Sequence, residues 1–197
     1  MNQQALIIFV KNPEKGKVKT RLASTVGDER ALKIYLALLA HTRNIALAIS
    51  AKRYLFYSAY VDQQDDWPNG DFQKTLQHNG DLGARMEAAF ADCLAENKKV
   101  VIIGSDCASL TATIVQEAFS QLDKYDLVIG PALDGGYYLL GMKTPHPFLF
   151  QSMVWSTESV FQETINRITA ASLTYATLPT LSDIDYEEDW EKYGWNL

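Results

Sequence analysis

Ala5–Leu22 reads ALIIFVKNPEKGKVKTRL. Ala5 to Val10 runs apolar without a break, the pattern of a strand covered on both faces rather than one with a wet side. At Lys11 the run stops, and the stretch to Thr20 is polar and carries Pro13 and Gly16, as expected of a loop that leaves the end of such a strand. A strand buried on both faces needs helices on either side of its sheet.

The rest of the chain repeats that alternation. Apolar residues at Ala31, Tyr35, Leu38, Leu39, Ile45 and Ile49 give one face of a helix starting from Asp28, a candidate cap. Tyr54–Tyr60 has strand character, Asp62–Asp71 (DQQDDWPNGD) is a polar surface loop, and Phe72–Leu76 is a short strand. His78–Asp81 (HNGD) leads into a helix with a stripe of Leu82, Met86, Phe90, Cys93 and Leu94. Val100–Gly104 is another buried strand, and Thr113 with Gln116 has capping-box spacing for the helix after it. Strands at Asp126–Gly130 and Tyr137–Met142 follow, then a helix over Thr157–Ala170, a strand over Leu173–Leu178 and an acidic terminal helix. The fold expected is α/β: one domain over residues 1–197, with a mainly parallel sheet flanked by helices and ligands beyond the carboxyl ends of its strands.

Composition narrows the function classes. At 197 residues, 47% hydrophobic and 21% charged, the chain is an ordinary globular one. A formal net charge of −6 argues against a nucleic-acid partner, which draws on clustered Lys and Arg. The apolar run near the N-terminus is too short for a membrane span and has no basic stretch before it, so a signal peptide is not expected either. Cys93 and Cys107 are too few for a disulfide framework, and His41, His78 and His146 have no zinc spacing. A cytoplasmic location is the expectation, and a metal would be Mg²⁺ or Mn²⁺ on carboxylates.

Four stretches could carry chemistry. Lys11–Leu22 (KNPEKGKVKTRL) holds Lys11, Lys15, Lys17, Lys19 and Arg21 against a single acid, Glu14, a local reversal of the chain's charge. Alternating cations beside Gly16 suit a di- or triphosphate, with Arg21 able to bind bidentately and Lys19 acting as a point charge. A solvated basic surface is the ordinary alternative. Asp106 in VVIIGSDCASL (Val100–Leu110) follows a central strand, so its carboxylate faces the cleft as a metal ligand or else caps a turn. In GPALDGGYYLLG (Gly130–Gly141), Asp134 precedes two glycines that permit either close backbone approach or a tight turn. In SDIDYEEDW (Ser182–Trp190), Asp183 and Asp185 point the same way if extended and could add a second carboxylate to a metal, or they simply begin an acidic helix.

Taken in order, KNPEKGKVKTRL, NGDLGARM, GSDCASL, GPALDGGYYLLGM, Trp155-Ser156-Thr157 and DIDYEEDW resemble the small glycosyltransferase-A-like proteins of the DUF2064 type. These belong to the nucleotide-diphospho-sugar transferase superfamily, alongside molybdenum-cofactor and phospholactate nucleotidyltransferases, and the resemblance covers essentially the whole chain. It implies that Lys11, Gly16, Lys19 and Arg21 meet phosphates, that Gly80, Asp81 and Arg85 lie near the nucleotide, and that Asp106 and Asp185 hold Mg²⁺ or Mn²⁺. Asp106 and Asp134 are the catalytic candidates, Asp134 by position only.

The leading expectation is a metal-dependent, glycosyltransferase-like enzyme that uses a nucleotide sugar and an unidentified small-molecule acceptor. A nucleotidyltransferase that takes a nucleoside triphosphate and releases pyrophosphate is the first alternative. A nucleotide-binding regulator without turnover is the second.

Overall fold

The computed structural model describes residues 3–197; Met1 and Asn2, counted in the expected domain, lie outside the described residues. In chain order the elements are β1 (Gln4–Val10), α1 (Thr20–Val26), α2 (Asp28–Leu47), β2 (Lys52–Tyr57), β3 (Gln73–Leu76), α3 (Leu82–Leu94), β4 (Lys99–Ile103), α4 (Ala112–Gln121), β5 (Leu127–Pro131), β6 (Tyr137–Met142), α5 (Val160–Ala170), β7 (Tyr175–Thr177) and α6 (Glu187–Tyr193), with a 3₁₀ turn at Pro147–Leu149. All seven strands join one sheet in the order β3-β2-β1-β4-β6-β5-β7. Every pairing is parallel except those of β6, which runs antiparallel to both β4 and β5. Only Ala132–Gly136 separate β5 from β6, and so short a connection cannot make the crossover that a parallel neighbour requires.

The unbroken apolar run of β1 serves two cores at once. Leu6, Ile8 and Val10 pack with Tyr35, Leu39 and Ile45 of α2 and with Val115 and Phe119 of α4. Ala5 and Ile7 face the other way, toward Met86, Ala89, Phe90 and Cys93 of α3 and Ile168 of α5. α2 has no basic residue in its last turn. Arg53 of β2 substitutes for one, donating from Nε to Ala46 O at 2.6 Å and from Nη2 to Ile49 O at 2.7 Å, which satisfies carbonyls that the helix leaves open.

A third, smaller cluster lies off the sheet. Leu22 of α1, Ala31, Ile34 and Leu38 of α2, Ala108 after β4, Ile184, and Trp190 of α6 bury one another there. It joins three regions far apart in sequence, the α1–α2 pair that follows the basic loop, the segment after Asp106 and the closing acidic motif.

The structure differs from the sequence expectations at several boundaries. β2 ends at Tyr57 rather than Tyr60, because the N–H groups of Ala59 and Tyr60 turn to Asn12 Oδ1 instead of extending the ladder. Helix α4 is capped by Thr111, whose side chain accepts from Ile114 N at 3.3 Å, and not by Thr113. Asp28 is the first residue of α2, with Gly27 as its cap. α5 starts at Val160, three residues later than its periodicity implied. α1 follows directly on the polar stretch and has no counterpart in the sequence pattern: it is seven residues long with Leu22 as its buried residue, too little for a periodic signal.

Gly135 fixes the β5–β6 connection. Its φ is +87°, and a Cβ there would lie 2.1 Å from the carbonyl oxygen of Glu158, a backbone atom that cannot swing aside. Left-handed strain and this overlap act together, so Gly135→Ala is expected to lower unfolding stability by more than about 2 kcal/mol in urea denaturation. An unchanged midpoint would show that the 157–159 segment yields freely.

Candidate functional site

The chain lays down β1, moves outward to β2 and β3, and then returns to the opposite side of β1 for β4. The loops after β1 and β4 therefore diverge from adjacent strands and leave a crevice at their carboxyl ends, where doubly covered sheets take ligands. Lys19 and Arg21 come from the first loop and the helix it enters, and Asp106 comes from the second.

Lys19 Nζ lies 2.8 Å from Asp106 Oδ1 and 3.6 Å from Asp185 Oδ1, with its side chain only 5% exposed. Arg21 Nη1 donates to the other oxygen, Asp185 Oδ2, at 2.9 Å. These four residues thus meet although Arg21 and Asp185 are 164 positions apart. Lys19 itself caps α1 in the left-handed conformation, φ 48° and ψ 45°. A non-glycine residue holds that backbone at a cost when its surroundings require it, a pattern common where side chains are aimed at a function.

The acids are aimed by alternation. Ile184 is fully buried in the third cluster, and its N–H donates to Asp106 O at 2.9 Å. Asp183 and Asp185 on either side of it therefore turn the other way. Burial pushes the Asp183 carboxyl up to about 7; the charge on Asp106 adds to this, Lys19 opposes it, and Asp134 and Asp185 raise it further. Asp106, Asp134 and Asp185 thus each act electrostatically on Asp183. Asp134 is also tied locally, accepting the Gly136 N–H at 2.9 Å in a turn.

The other predicted residues occupy the rim. Lys11 contributes its backbone: its N–H donates to Tyr35 Oη at 2.9 Å, and its carbonyl accepts from the same hydroxyl at 3.0 Å. Lys15 and Lys17 pair with Glu29 and Glu14 on the surface. Gly16, at φ +76°, brings the loop against Asp28. Asp81 caps α3 by accepting from Ala84 N at 2.9 Å, and Gly80 precedes it at φ +114°. Arg85 turns back to Gly80 O at 2.9 Å and to Gln77, whose amide in turn donates to the carbonyls of Val10 and Phe56. Gly80, Asp81 and Arg85 thus sit by the ends of β1 and β2, on the other side of β1 from Asp106.

Two organising residues escaped the sequence reading. Asn12, 4% exposed, donates to Tyr60 O and accepts from Ala59 and Tyr60, clamping the β1 loop to the β2 loop. Its signal was an Asn before Pro13, which reads as a turn. Tyr35 was read only as helix core, yet its hydroxyl joins Lys11 to Ser105 at 3.4 Å, beside Asp106. Burial, then the Asp106 charge, pushes that phenol well above the usual tyrosine range and keeps it protonated as a donor.

The arrangement suits a hard divalent cation with one qualification. The carboxylates of Asp106 and Asp185 converge on the cations Lys19 and Arg21. Among the described residues, however, no three acidic, histidine or cysteine side chains stand ready to enclose a metal ion. Lys19 lies between Asp106 and Asp185.

Residues 41–157 match the family described as "Uncharacterized protein conserved in bacteria (DUF2064)", and the chain belongs to it. The chain is similar to a solved protein from Desulfovibrio desulfuricans G20, provisionally named a nucleotide-diphospho-sugar transferase. The two are 32% identical with a TM-score of 0.88, over 94% of this chain and 84% of that one. More distant likenesses show the fold alone. Rv0371c of Mycobacterium tuberculosis H37Rv is 10% identical with a TM-score of 0.58, over 98% of this chain and 97% of that one. The inositol-1-phosphate CTP transferase of T. maritima is 12% identical with a TM-score of 0.58, over 95% and 91%. No curated protein matches the sequence. Among the described residues no helix is long and apolar enough to cross a membrane.

The raised Asp183 carboxyl gives a pH prediction with a definite sign. Between the ordinary aspartate range and about 7 the folded protein keeps a proton that the unfolded chain has lost, so stability from this group fades as pH rises through that window. Asp183→Asn removes the charge, and its melting temperature in EDTA should exceed that of the unsubstituted protein at about pH 8 but not at about pH 4.5. An equal difference at both values would mean that Asp183 titrates normally.

Proposed function

We propose that the chain is a transferase that binds a nucleotide through its diphosphate and passes a sugar from it to a small acceptor. The observation that supports this most directly is the meeting of Lys19, Arg21, Asp106 and Asp185 at the crevice between β1 and β4. A basic loop leading into a helix, facing acids at the carboxyl ends of parallel strands, matches what a metal diphosphate requires: cations for the phosphate oxygens and carboxylates for the metal. The provisional name of the 32%-identical relative points the same way.

In this reading Lys19 and Arg21 bind the phosphates, Lys19 as a point charge and Arg21 through its planar fork. Asp106 and Asp185 hold Mg²⁺ or Mn²⁺, which when bound supplies the positive charge that steadies a departing diphosphate. Tyr35, through Lys11 and Ser105, fixes the two loops so that these groups keep their spacing. The Asn12 clamp holds the β2 loop over the same rim. Asp134, on the β5–β6 turn, is by position the candidate to accept a proton from an acceptor hydroxyl.

The test is a thermal-shift panel of nucleoside di- and triphosphates and nucleotide sugars, each with and without Mn²⁺. A ligand bound only by the native state stabilises it by about 2.7 kcal/mol at a hundredfold excess over Kd, a readily measured rise in Tm. The expected result is a Mn²⁺-dependent rise with one class of nucleotide sugar, abolished in Asp106→Ala while that variant keeps its circular dichroism spectrum. Release of pyrophosphate from a triphosphate would reassign the protein to the nucleotidyltransferases. A bound nucleotide sugar left unaltered after long incubation with candidate acceptors would favour a regulator. No shift with any nucleotide would sink the transferase reading.

A further inference from the structure

Lys19 occupies the place where a cation shared by Asp106 and Asp185 would lie, 2.8 Å from one carboxylate and 3.6 Å from the other. Arg21 takes the remaining oxygen of Asp185. A divalent ion approaching this pair meets an ammonium already in position, and two like charges at that range repel strongly in a partly desolvated cleft. Lys19 cannot simply withdraw either, because its side chain is 5% exposed and removing it from both acids would leave a buried charge unpaired.

A phosphate group resolves the conflict. It offers Lys19 and Arg21 new anionic oxygens at the mouth of the same crevice and so releases the two carboxylates. We propose that Lys19 is a resident cation that keeps the Asp106–Asp185 pair closed until a phosphate draws it away, so that divalent metal and nucleotide bind cooperatively. The proposal rests on the diphosphate reading of this site. Lys19 also holds a left-handed backbone, a costly conformation for a non-glycine residue that its surroundings must enforce.

The coupling is measured by titrating Mn²⁺ and following free Mn²⁺ by electron paramagnetic resonance. It is done with and without the nucleoside diphosphate, from UDP, CDP, GDP and ADP, that raises the melting temperature most. In the unsubstituted protein the nucleotide should tighten Mn²⁺ binding about tenfold or more, within the ordinary range of coupling between two sites. Lys19→Met should bind Mn²⁺ alone about tenfold more tightly than the unsubstituted protein, and the nucleotide effect should shrink to about twofold. Lys19→Gln, which keeps a polar end, should behave in the same direction. The proposal is overturned if Lys19→Met binds Mn²⁺ alone no better, if nucleotide leaves the unsubstituted protein's Mn²⁺ affinity unchanged, or if neither protein binds Mn²⁺ under any condition, which would make Lys19 a permanent substitute for the metal. Should no diphosphate shift the melting temperature, the transferase reading fails, while the comparison of Mn²⁺ alone still decides the role of Lys19. If both lysine variants prove unfolded by circular dichroism, the nucleotide effect on the unsubstituted protein decides by itself.

Discussion

Ile184 is the buried residue on which the geometry of the crevice turns. Its side chain is fully buried among Leu22, Ala108 and Trp190, and its N–H is bonded to the carbonyl of Asp106. The first contact fixes the closing acidic motif to the helix that ends the basic loop. The second fixes it to the loop after β4. Because neighbouring side chains in an extended segment point oppositely, seating Ile184 inward forces Asp183 and Asp185 outward. The meeting of distant charges at the crevice is therefore paid for by apolar burial some distance from the charges themselves.

That arrangement explains why the crevice can be so unevenly charged. Asp106 and Asp185 meet Lys19 and Arg21 there as counter-ions. Burial, and then the charge of Asp106, oppose ionisation of the neighbouring Asp183 and raise its carboxyl. In the proposed reading, phosphates would take over the two basic side chains.

The sheet supplies the frame. Because the chain turns from β3 back across β1 to β4, two loops open away from each other at its centre. The reversal of β6 then brings the Asp134 turn to the same end of the sheet, since an antiparallel strand starts where its parallel neighbours finish. Gly135 permits that turn to pass against Glu158.

Much of this was legible in the amino-acid sequence. The unbroken apolar runs at Ala5–Val10 and Val100–Ile103 announce strands covered on both faces, and the helical stripes between them announce what covers them, because burial imposes a period on each. The charge reversal in Lys11–Leu22 and the single acid after Val100–Ile103 marked the loops to inspect. What local pattern could not supply was anything set by contacts between distant segments. The short α1, the early end of β2 at the Asn12 clamp and the joining role of Tyr35 all depend on partners that are remote in sequence. So does the position of Lys19: its place in the chain makes it one cation among five, and only the folding of Asp106 and Asp185 to either side makes it the ion between two acids, because Coulomb energy depends on separation in space and not along the chain.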